Sequence, residues 1–131
     1  MALTPEDFAH IQNLYSRYTF ATDFGPAETY ADCFAPDGSI EIRGTTQRGK
    51  EALLKFAQAI RERASGDRHW LGNLLIEESA GGATGRAYIT IFQTKKMPRE
   101  VHLTGRYDDT LVKTPRGWKF ATRKITFDQD K

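Results

Sequence analysis

The second half of this chain reads almost entirely as β-strand, and that feature most restricts the folds open to it. Four segments are rich in aromatic and β-branched residues, and short stretches containing Gly or Pro separate them. Segments joined by such short turns pair as antiparallel hairpins. The predicted strands run from His69 to Ile76, from Ala83 to Thr94, from Val101 to Thr114 and from Trp118 to Phe127.

The first half carries helical signals instead. Thr4 is a good N-cap and Pro5 suits the first helical position, so a helix is predicted to begin here and to end at Phe24-Gly25-Pro26. A second helix is predicted from Ala27 to Phe34, and a third follows Gly49. The first helix carries mostly apolar side chains at three- and four-residue spacing, namely Phe8, Ile11, Leu14, Tyr15, Tyr18 and Thr22.

Helices followed by hairpins are the order of elements in an α+β domain. Pro36-Asp37-Gly38 is a turn signal, and Ile40 and Ile42 alternate with polar residues in a short strand. The 131 residues suffice for one hydrophobic core and are too few for two, so one domain is predicted over residues 1–131. The predicted architecture is a curved, mostly antiparallel sheet wrapped over three helices.

Charge and cysteine content exclude several functional classes. The net charge is +2 and the basic residues are spread along the chain, so no nucleic-acid partner is predicted. No apolar run approaches the ~20 residues of a membrane span, and the first residues do not form a secretion signal. No membrane partner and a cytoplasmic location are therefore expected. Cys33 is the only cysteine, which excludes an intramolecular disulfide, and no histidine pair has the spacing of a metal site.

Asp23 and His69 are the residues most indicative of chemistry. Asp23 closes the first helix, and His69 opens the first long strand. A carboxylate that holds an imidazole in one tautomer and stabilises its charged form makes it a useful general base or acid. An aspartate at the negative end of a helix dipole is also unfavourable without a compensating partner. Both residues are therefore candidates for catalytic residues.

A structural role is the alternative for each of these two residues. If the strand alternates regularly, His69 faces the same side as Leu71, Asn73 and Leu75, where it could be a hydrogen-bonded core histidine. Asp23 could equally be a solvated residue at the helix end. The residues taken alone leave these interpretations open.

Three stretches of the chain resemble a known family. They run from Tyr30 to Gly38, from Arg68 to Asn73 and from Gly117 to Phe120. Together with the order of elements, they resemble the SnoaL-like branch of the nuclear transport factor 2-like superfamily. The resemblance implies a cone-shaped fold in which a strongly bent sheet and three helices enclose a pocket. It is specific for the fold and much less so for activity, because this superfamily contains enzymes of several classes and non-catalytic modules.

Two enzyme families within this fold bear on the site. The stretch from Ile11 to Asp23 is similar to the first helix of hexachlorocyclohexane dehydrochlorinases, and Asp23 and His69 fall on their Asp–His dyad. Scytalone dehydratases carry the same pair. The resemblance implies a proton-transfer site that uses neither cofactor nor metal. The chain also departs from both patterns, with Gln93 at the second histidine of scytalone dehydratase and Tyr18 at the supporting cation of the dehydrochlorinase.

Five further residues are predicted to bind substrate. Tyr18 and Tyr107 carry phenols that could donate to a substrate carbonyl or a developing enolate. Ile42, Tyr88 and Phe92 are predicted to line the pocket, Ile42 by its match to a pocket position of scytalone dehydratase. Ordinary core packing is the alternative for each of the five.

These observations predict a cofactor-independent lyase or isomerase acting on a small, apolar, cyclic molecule with a carbonyl or enolisable position. Dehydration, double-bond isomerisation and polyketide or terpenoid cyclisation use the same groups, and a hydrolytic variant would have the dyad activate water. A homodimer or homotrimer is expected, because the outer face of the curved sheet must be covered.

Two alternatives stay open. The domain could be a non-catalytic module that binds a small molecule or serves assembly. The small subunit of an aromatic-ring dioxygenase shares the fold and ranks last, since such chains are usually longer.

Overall fold

The computed structural model describes residues 2–130 and arranges them as three helices and six strands. The helices are α1 (Pro5–Phe24), α2 (Ala27–Asp32) and α3 (Lys50–Arg63). The strands are β1 (Phe34–Ile42), β2 (Thr45–Arg48), β3 (Asp67–Ser79), β4 (Gly82–Gln93), β5 (Glu100–Thr114) and β6 (Gly117–Phe127).

The six strands form one mixed sheet in the order β2-β1-β6-β5-β4-β3. Two-residue turns join β3 to β4 and β5 to β6, and a six-residue loop joins β4 to β5. Each of these strands pairs antiparallel with the next. β1 enters from the helical layer and pairs parallel with β6, while β2 folds back antiparallel on β1. The prediction of a cone-shaped α+β fold with a curved, mostly antiparallel sheet over three helices is confirmed.

The start of α1 is fixed to the sheet by Asp7. A capping box joins Thr4 and Asp7, with the Asp7 N–H donating to Thr4 Oγ1 and the Thr4 N–H to Asp7 Oδ2, each at 3.0 Å. The other oxygen, Oδ1, accepts hydrogen bonds from Trp118 Nε1 and Lys113 Nζ, both at 3.0 Å. These bonds, the Thr4 N–H foremost, hold the pKa of Asp7 far below its ordinary value of 3.8.

The inner face of α1 packs on the sheet largely as its spacing predicts. Five of the six predicted positions are buried: Ile11, Leu14, Tyr15, Tyr18 and Thr22. Phe8 lies at the margin of this face and is 37% exposed.

The junction between α2 and β1 differs from the sequence prediction. The helix ends at Asp32 rather than Phe34, and Pro36-Asp37-Gly38 lies inside β1 rather than in a free turn. The pairing with β6 shifts register between Phe34 and Ser39, so a bulge takes up the bend that the turn signal indicated. A Cβ on the glycine would lie 2.8 Å from the carbonyl oxygen of Phe120, which explains why this position lacks a side chain.

A buried arginine lies at the centre of the core. Arg123 Nε and Nη2 donate to Asp109 Oδ1 and Oδ2 at 2.8 and 2.7 Å, and the Tyr15 hydroxyl donates to the same carboxylate. Burial alone lowers the pKa of Arg123, but Asp109 more than offsets this and the pKa lies well above its ordinary value. The guanidinium also lies over the rings of Tyr107 and Tyr18, 3.7 and 4.3 Å from their centroids. We call this group the arginine cluster; nothing in the sequence pattern predicted it.

Candidate active site

Asp23 and His69 lie in direct contact through two hydrogen bonds. His69 Nδ1 is 2.5 Å from Asp23 Oδ1, and the backbone N–H of His69 donates to Asp23 Oδ2 at 3.0 Å. The side chains are only 13% and 5% exposed. An ionised carboxylate only accepts hydrogen bonds, so Nδ1 carries a hydrogen, and in the neutral ring the lone pair lies on Nε2.

Two element ends bring this pair together. α1 ends one residue after Asp23, where Gly25 takes a φ of +80° and donates its N–H to Ala21 O. His69 lies near the start of β3, on a strand that packs against α1. The last turn of α1 contains no basic residue, so His69 supplies the polar partner that an aspartate at this end of the helix dipole requires. Arg61 Nη1 also donates to the backbone oxygen of Asp23 at 2.5 Å.

His69 faces a cavity of about 480 Å³ between the helices and the concave face of the sheet. This volume lies within the range that holds small organic ligands. Most of the wall is apolar, and its larger aliphatic and phenylalanine side chains are Ile42, Phe56, Ile60, Ile89, Ile91, Leu103, Ile125 and Phe127. A ligand here would meet a small number of polar groups in a largely hydrophobic enclosure.

Tyr18 and Tyr107 both line this cavity, as does Ile42. The Tyr18 hydroxyl lies 3.1 Å from the Tyr30 hydroxyl. Burial raises the pKa of Tyr18 and of Tyr107 above the ordinary value, with the Arg123 charge opposing the shift. The two phenols are therefore protonated at neutral pH and can act as hydrogen-bond donors.

Tyr88 and Phe92 do not line the cavity, contrary to the sequence prediction. Ala87, Ile89 and Ile91 are the buried residues of this part of β4, and Tyr88 lies on the opposite face with 61% exposure. Phe92 shares that outer face, where its ring centroid is 5.5 Å from that of Trp70. Alternation correctly separates the two sets, but both are apolar, so the pattern could not indicate which set faces inward.

The alternation of inward and outward side chains along β3 is interrupted after His69. Its pairing with β4 shifts register between Gly72 and Leu75, and Asn73 takes a φ of +57°. Leu75 was expected on the face of His69 but is 47% exposed beyond this irregularity. The bulge inverts the alternation, so Leu74 packs against the core instead.

Sequence reasoning missed several polar residues of the cavity. Asp67, Arg43, Arg63 and His102 all line it. Asp67 is 8% exposed, and its Oδ1 accepts a hydrogen bond from Gln93 Nε2 at 2.8 Å. The signal that could have revealed Asp67 is its place two residues before His69, on the same face of one strand.

Cys33 lies outside this cavity, among the buried core residues. Burial raises the pKa of its thiol to about 11, so the thiol is protonated at neutral pH. Within residues 2–130, no three side chains of the metal-binding types are grouped to hold a metal ion. In the same span, every helix is too short or too polar to cross a membrane.

The model of a family described as the SnoaL-like domain matches residues 4–124. A protein of unknown function from Mycobacterium tuberculosis is 30% identical, with a TM-score of 0.88 over 97% of this chain and 79% of that one. Aln2 from a Streptomyces species is 26% identical, with a TM-score of 0.86 over 98% and 95% of the two chains. A proposed scytalone dehydratase from Novosphingobium aromaticivorans is 25% identical, with a TM-score of 0.81 over 95% and 85%. A search of curated proteins returns no match.

Proposed function

The chain belongs to the SnoaL-like domain family, and on that premise we propose that it is a cofactor-independent lyase or isomerase. Its substrate is a small, apolar, cyclic molecule with an enolisable position. Dehydration, double-bond isomerisation and polyketide or terpenoid cyclisation are the reactions in scope. The observation that carries the proposal is the Asp23–His69 pair in the wall of a largely apolar cavity.

His69 is the group that moves the proton. Its Nε2 lone pair accepts a proton from the substrate carbon next to a carbonyl, and the C–H electron pair passes into an enolate. In a dehydration, the enolate then expels the hydroxyl on the neighbouring carbon, which leaves as water with the proton from Nε2. In an isomerisation, the same proton returns to a different carbon.

Asp23 is the positioning residue for this step. It holds the Nδ1–H through Oδ1 and the His69 backbone through Oδ2, so the ring cannot turn away from the cavity. The carboxylate also balances the positive charge that the imidazole acquires when it takes the proton.

Tyr18 and Tyr107 would stabilise the enolate oxygen. Both are neutral phenols in the cavity wall, and the buried Arg123 lies over both rings. A donor that is already in place strengthens its hydrogen bond as negative charge develops, and the apolar surroundings increase that gain. This arrangement supports carbonyl polarisation without a metal ion.

The alternative is a non-catalytic binding or assembly module of the same fold. It is supported by the large aromatic side chains exposed on the outer face of the sheet, Trp70 and Tyr88. That face also supports a homodimer or homotrimer, which is compatible with either function. A binding module requires the cavity but does not require an imidazole that transfers protons. An experiment can therefore distinguish the two functions by measuring proton transfer.

The test is deuterium exchange at the α-carbon of 2-tetralone in D₂O, followed by proton NMR, because it detects proton transfer without the natural substrate. The wild type should accelerate exchange, and His69→Gln should lose about 100-fold or more of that acceleration. His10→Gln is the matched control, since His10 is exposed on the outside of α1. Equal rates for His69→Gln and the wild type would exclude the proposal and favour the binding module.

A further inference from the structure

Four carboxylates of the described residues are almost fully buried, and one of them is incompletely paired. Asp7, Asp23 and Asp109 each have both oxygens engaged by protein donors. Asp67 differs, because its Oδ1 accepts from Gln93 while its Oδ2 accepts no hydrogen bond within residues 2–130. Asp67 is also a lining residue of the cavity that contains His69.

The orientation of Asp67 is fixed by its surroundings. Gln93 lies directly opposite it in the pairing of β3 with β4. The backbone N–H of Lys95 donates to Gln93 Oε1 at 2.8 Å, which turns the amide NH₂ toward Asp67 Oδ1. The backbone N–H of Asp67 donates to Ala64 O at 3.0 Å. The second carboxylate oxygen is thereby held in place without a donor from the described part of the chain.

Asp67 Oδ2 is not one of the buried side-chain atoms without a partner in residues 2–130, so it is accessible from the cavity, and a donor on a ligand there would complete the hydrogen bonding of the carboxylate. We propose that Asp67 Oδ2 binds a hydroxyl group of the ligand. This inference rests on the proposed function only in placing a small apolar molecule in the cavity. Asp67 and His69 share one strand face two residues apart, a separation of about 6.6 Å along β3. The hydroxyl and the carbon that exchanges its proton therefore lie against the same strand of the cavity wall.

The charges around the cavity favour a neutral donor over a cationic one. Arg43, Arg63 and His102 also line the cavity. Arg43 is paired with Asp130 at 3.0 Å, whereas within residues 2–130 the side chain of Arg63 donates only to the carbonyl of Ala59. An ammonium group entering here would face guanidinium groups of like charge, which a neutral hydroxyl would not.

The test compares three naphthalene probes by isothermal titration calorimetry: 2-naphthol, 2-methoxynaphthalene and 2-(aminomethyl)naphthalene, which is a cation at pH 7. Wild type should bind 2-naphthol most tightly. Asp67→Asn keeps an oxygen for Gln93 but presents an NH₂ donor to the ligand, so 2-naphthol should lose about tenfold or more in affinity. The affinity for 2-methoxynaphthalene should stay the same or rise.

The matched control is Asp108→Asn, which changes an aspartate on the outer face of β5 that pairs with Arg106. It should leave all three affinities unchanged, and thermal unfolding should verify that both variants are folded. The inference is overturned if none of the probes binds, if 2-naphthol and 2-methoxynaphthalene bind wild type equally, or if the cation binds best. An unchanged affinity of Asp67→Asn for 2-naphthol would overturn it as well.

Failure of this inference and failure of the proposed function give different results. The exchange assay uses 2-tetralone, which has no hydroxyl, and depends on His69. Retained hydroxyl selectivity without exchange excludes the enzyme and leaves the Asp67 assignment intact. Exchange by the wild type without hydroxyl selectivity supports the enzyme and excludes the Asp67 assignment.

Discussion

At the scale of single residues, the chemistry of each buried carboxylate depends on how many of its oxygens the chain itself engages. Both oxygens of Asp109 accept hydrogen bonds from a bidentate arginine and a phenol, so neither oxygen is free to bind a ligand. Asp23 is saturated too, but one of its partners is a histidine ring that can carry a proton. Asp67 keeps one oxygen without a protein donor. We thus propose a structural, a positioning and a binding role for three residues of one type.

Asp23→Asn tests the positioning role at this scale. A carboxamide can donate through its NH₂ to Nδ1, which would move the ring hydrogen to Nε2 and remove the lone pair that accepts the substrate proton. We expect the 2-tetralone exchange rate to fall by about 100-fold or more, while 2-naphthol affinity stays within about twofold of the wild type. A variant that retains the wild-type exchange rate would show that the ring does not need this carboxylate.

At the scale of elements, the ends and irregularities of α1 and β3 decide which side chains meet. β3 directs Asp67 and His69 into the cavity before its bulge, and the bulge then exposes Leu75. The start of α1 is fixed by Asp7 through contacts to its own cap and to the β5–β6 hairpin. Because α1 is held at its start and ends beside Asp23, its position sets where the carboxylate meets β3.

Asp7→Asn should change the acid sensitivity of the fold. The pKa of Asp7 is lowered in the folded state, so the ionised carboxylate adds stability above its ordinary pKa of 3.8, and that stability is lost as the pH falls below this value. Urea unfolding between pH 2 and 6 should show a free energy that falls less steeply below pH 4 in the variant. Asp37→Asn, which changes an exposed aspartate, should keep the wild-type slope. A variant slope equal to that of the wild type would contradict this role.

At the scale of the whole molecule, the arginine cluster joins the helical layer to the sheet beneath the cavity. Tyr15 and Tyr18 come from α1, Tyr107 and Asp109 from β5, and Arg123 from β6. Nη1 of Arg123 is the one buried side-chain nitrogen or oxygen of residues 2–130 with no hydrogen-bond partner, and aromatic rings surround the guanidinium. The cation is therefore compensated by one carboxylate and by ring faces, and loss of either charge leaves the other uncompensated.

Arg123→Met should cost about 3–5 kcal/mol of unfolding free energy, because it leaves Asp109 buried without its cation. The double change Arg123→Met with Asp109→Leu should cost less than the sum of the two single changes, since it removes both charges. Urea unfolding of the four proteins measures this coupling. Strictly additive effects would mean that the pair contributes no interaction energy of its own.

The sequence by itself determined the elements, because caps, turns and apolar spacing act between residues close in the chain. The start of α1 at Thr4, the four long strands and the α+β class follow from such local signals. The proximity of Asp23 and His69, 46 residues apart, came from resemblance and not from spacing. Alternation in β4 separated Tyr88 and Phe92 from Ile89 and Ile91 but could not say which set faces the helices.

Only the tertiary structure decided which polar groups are buried and what each of them meets. Arg123 on β6 lies opposite Asp109 on the neighbouring strand β5. Asp67 on β3 lies opposite Gln93 on the neighbouring strand β4. Neither partner stands at a spacing that local chemistry recognises. A charged residue in an alternating strand looks the same whether its face is solvated or buried. Burial is a property of what packs above the sheet, so the cavity and its one incompletely paired carboxylate emerge only when helices and sheet come together.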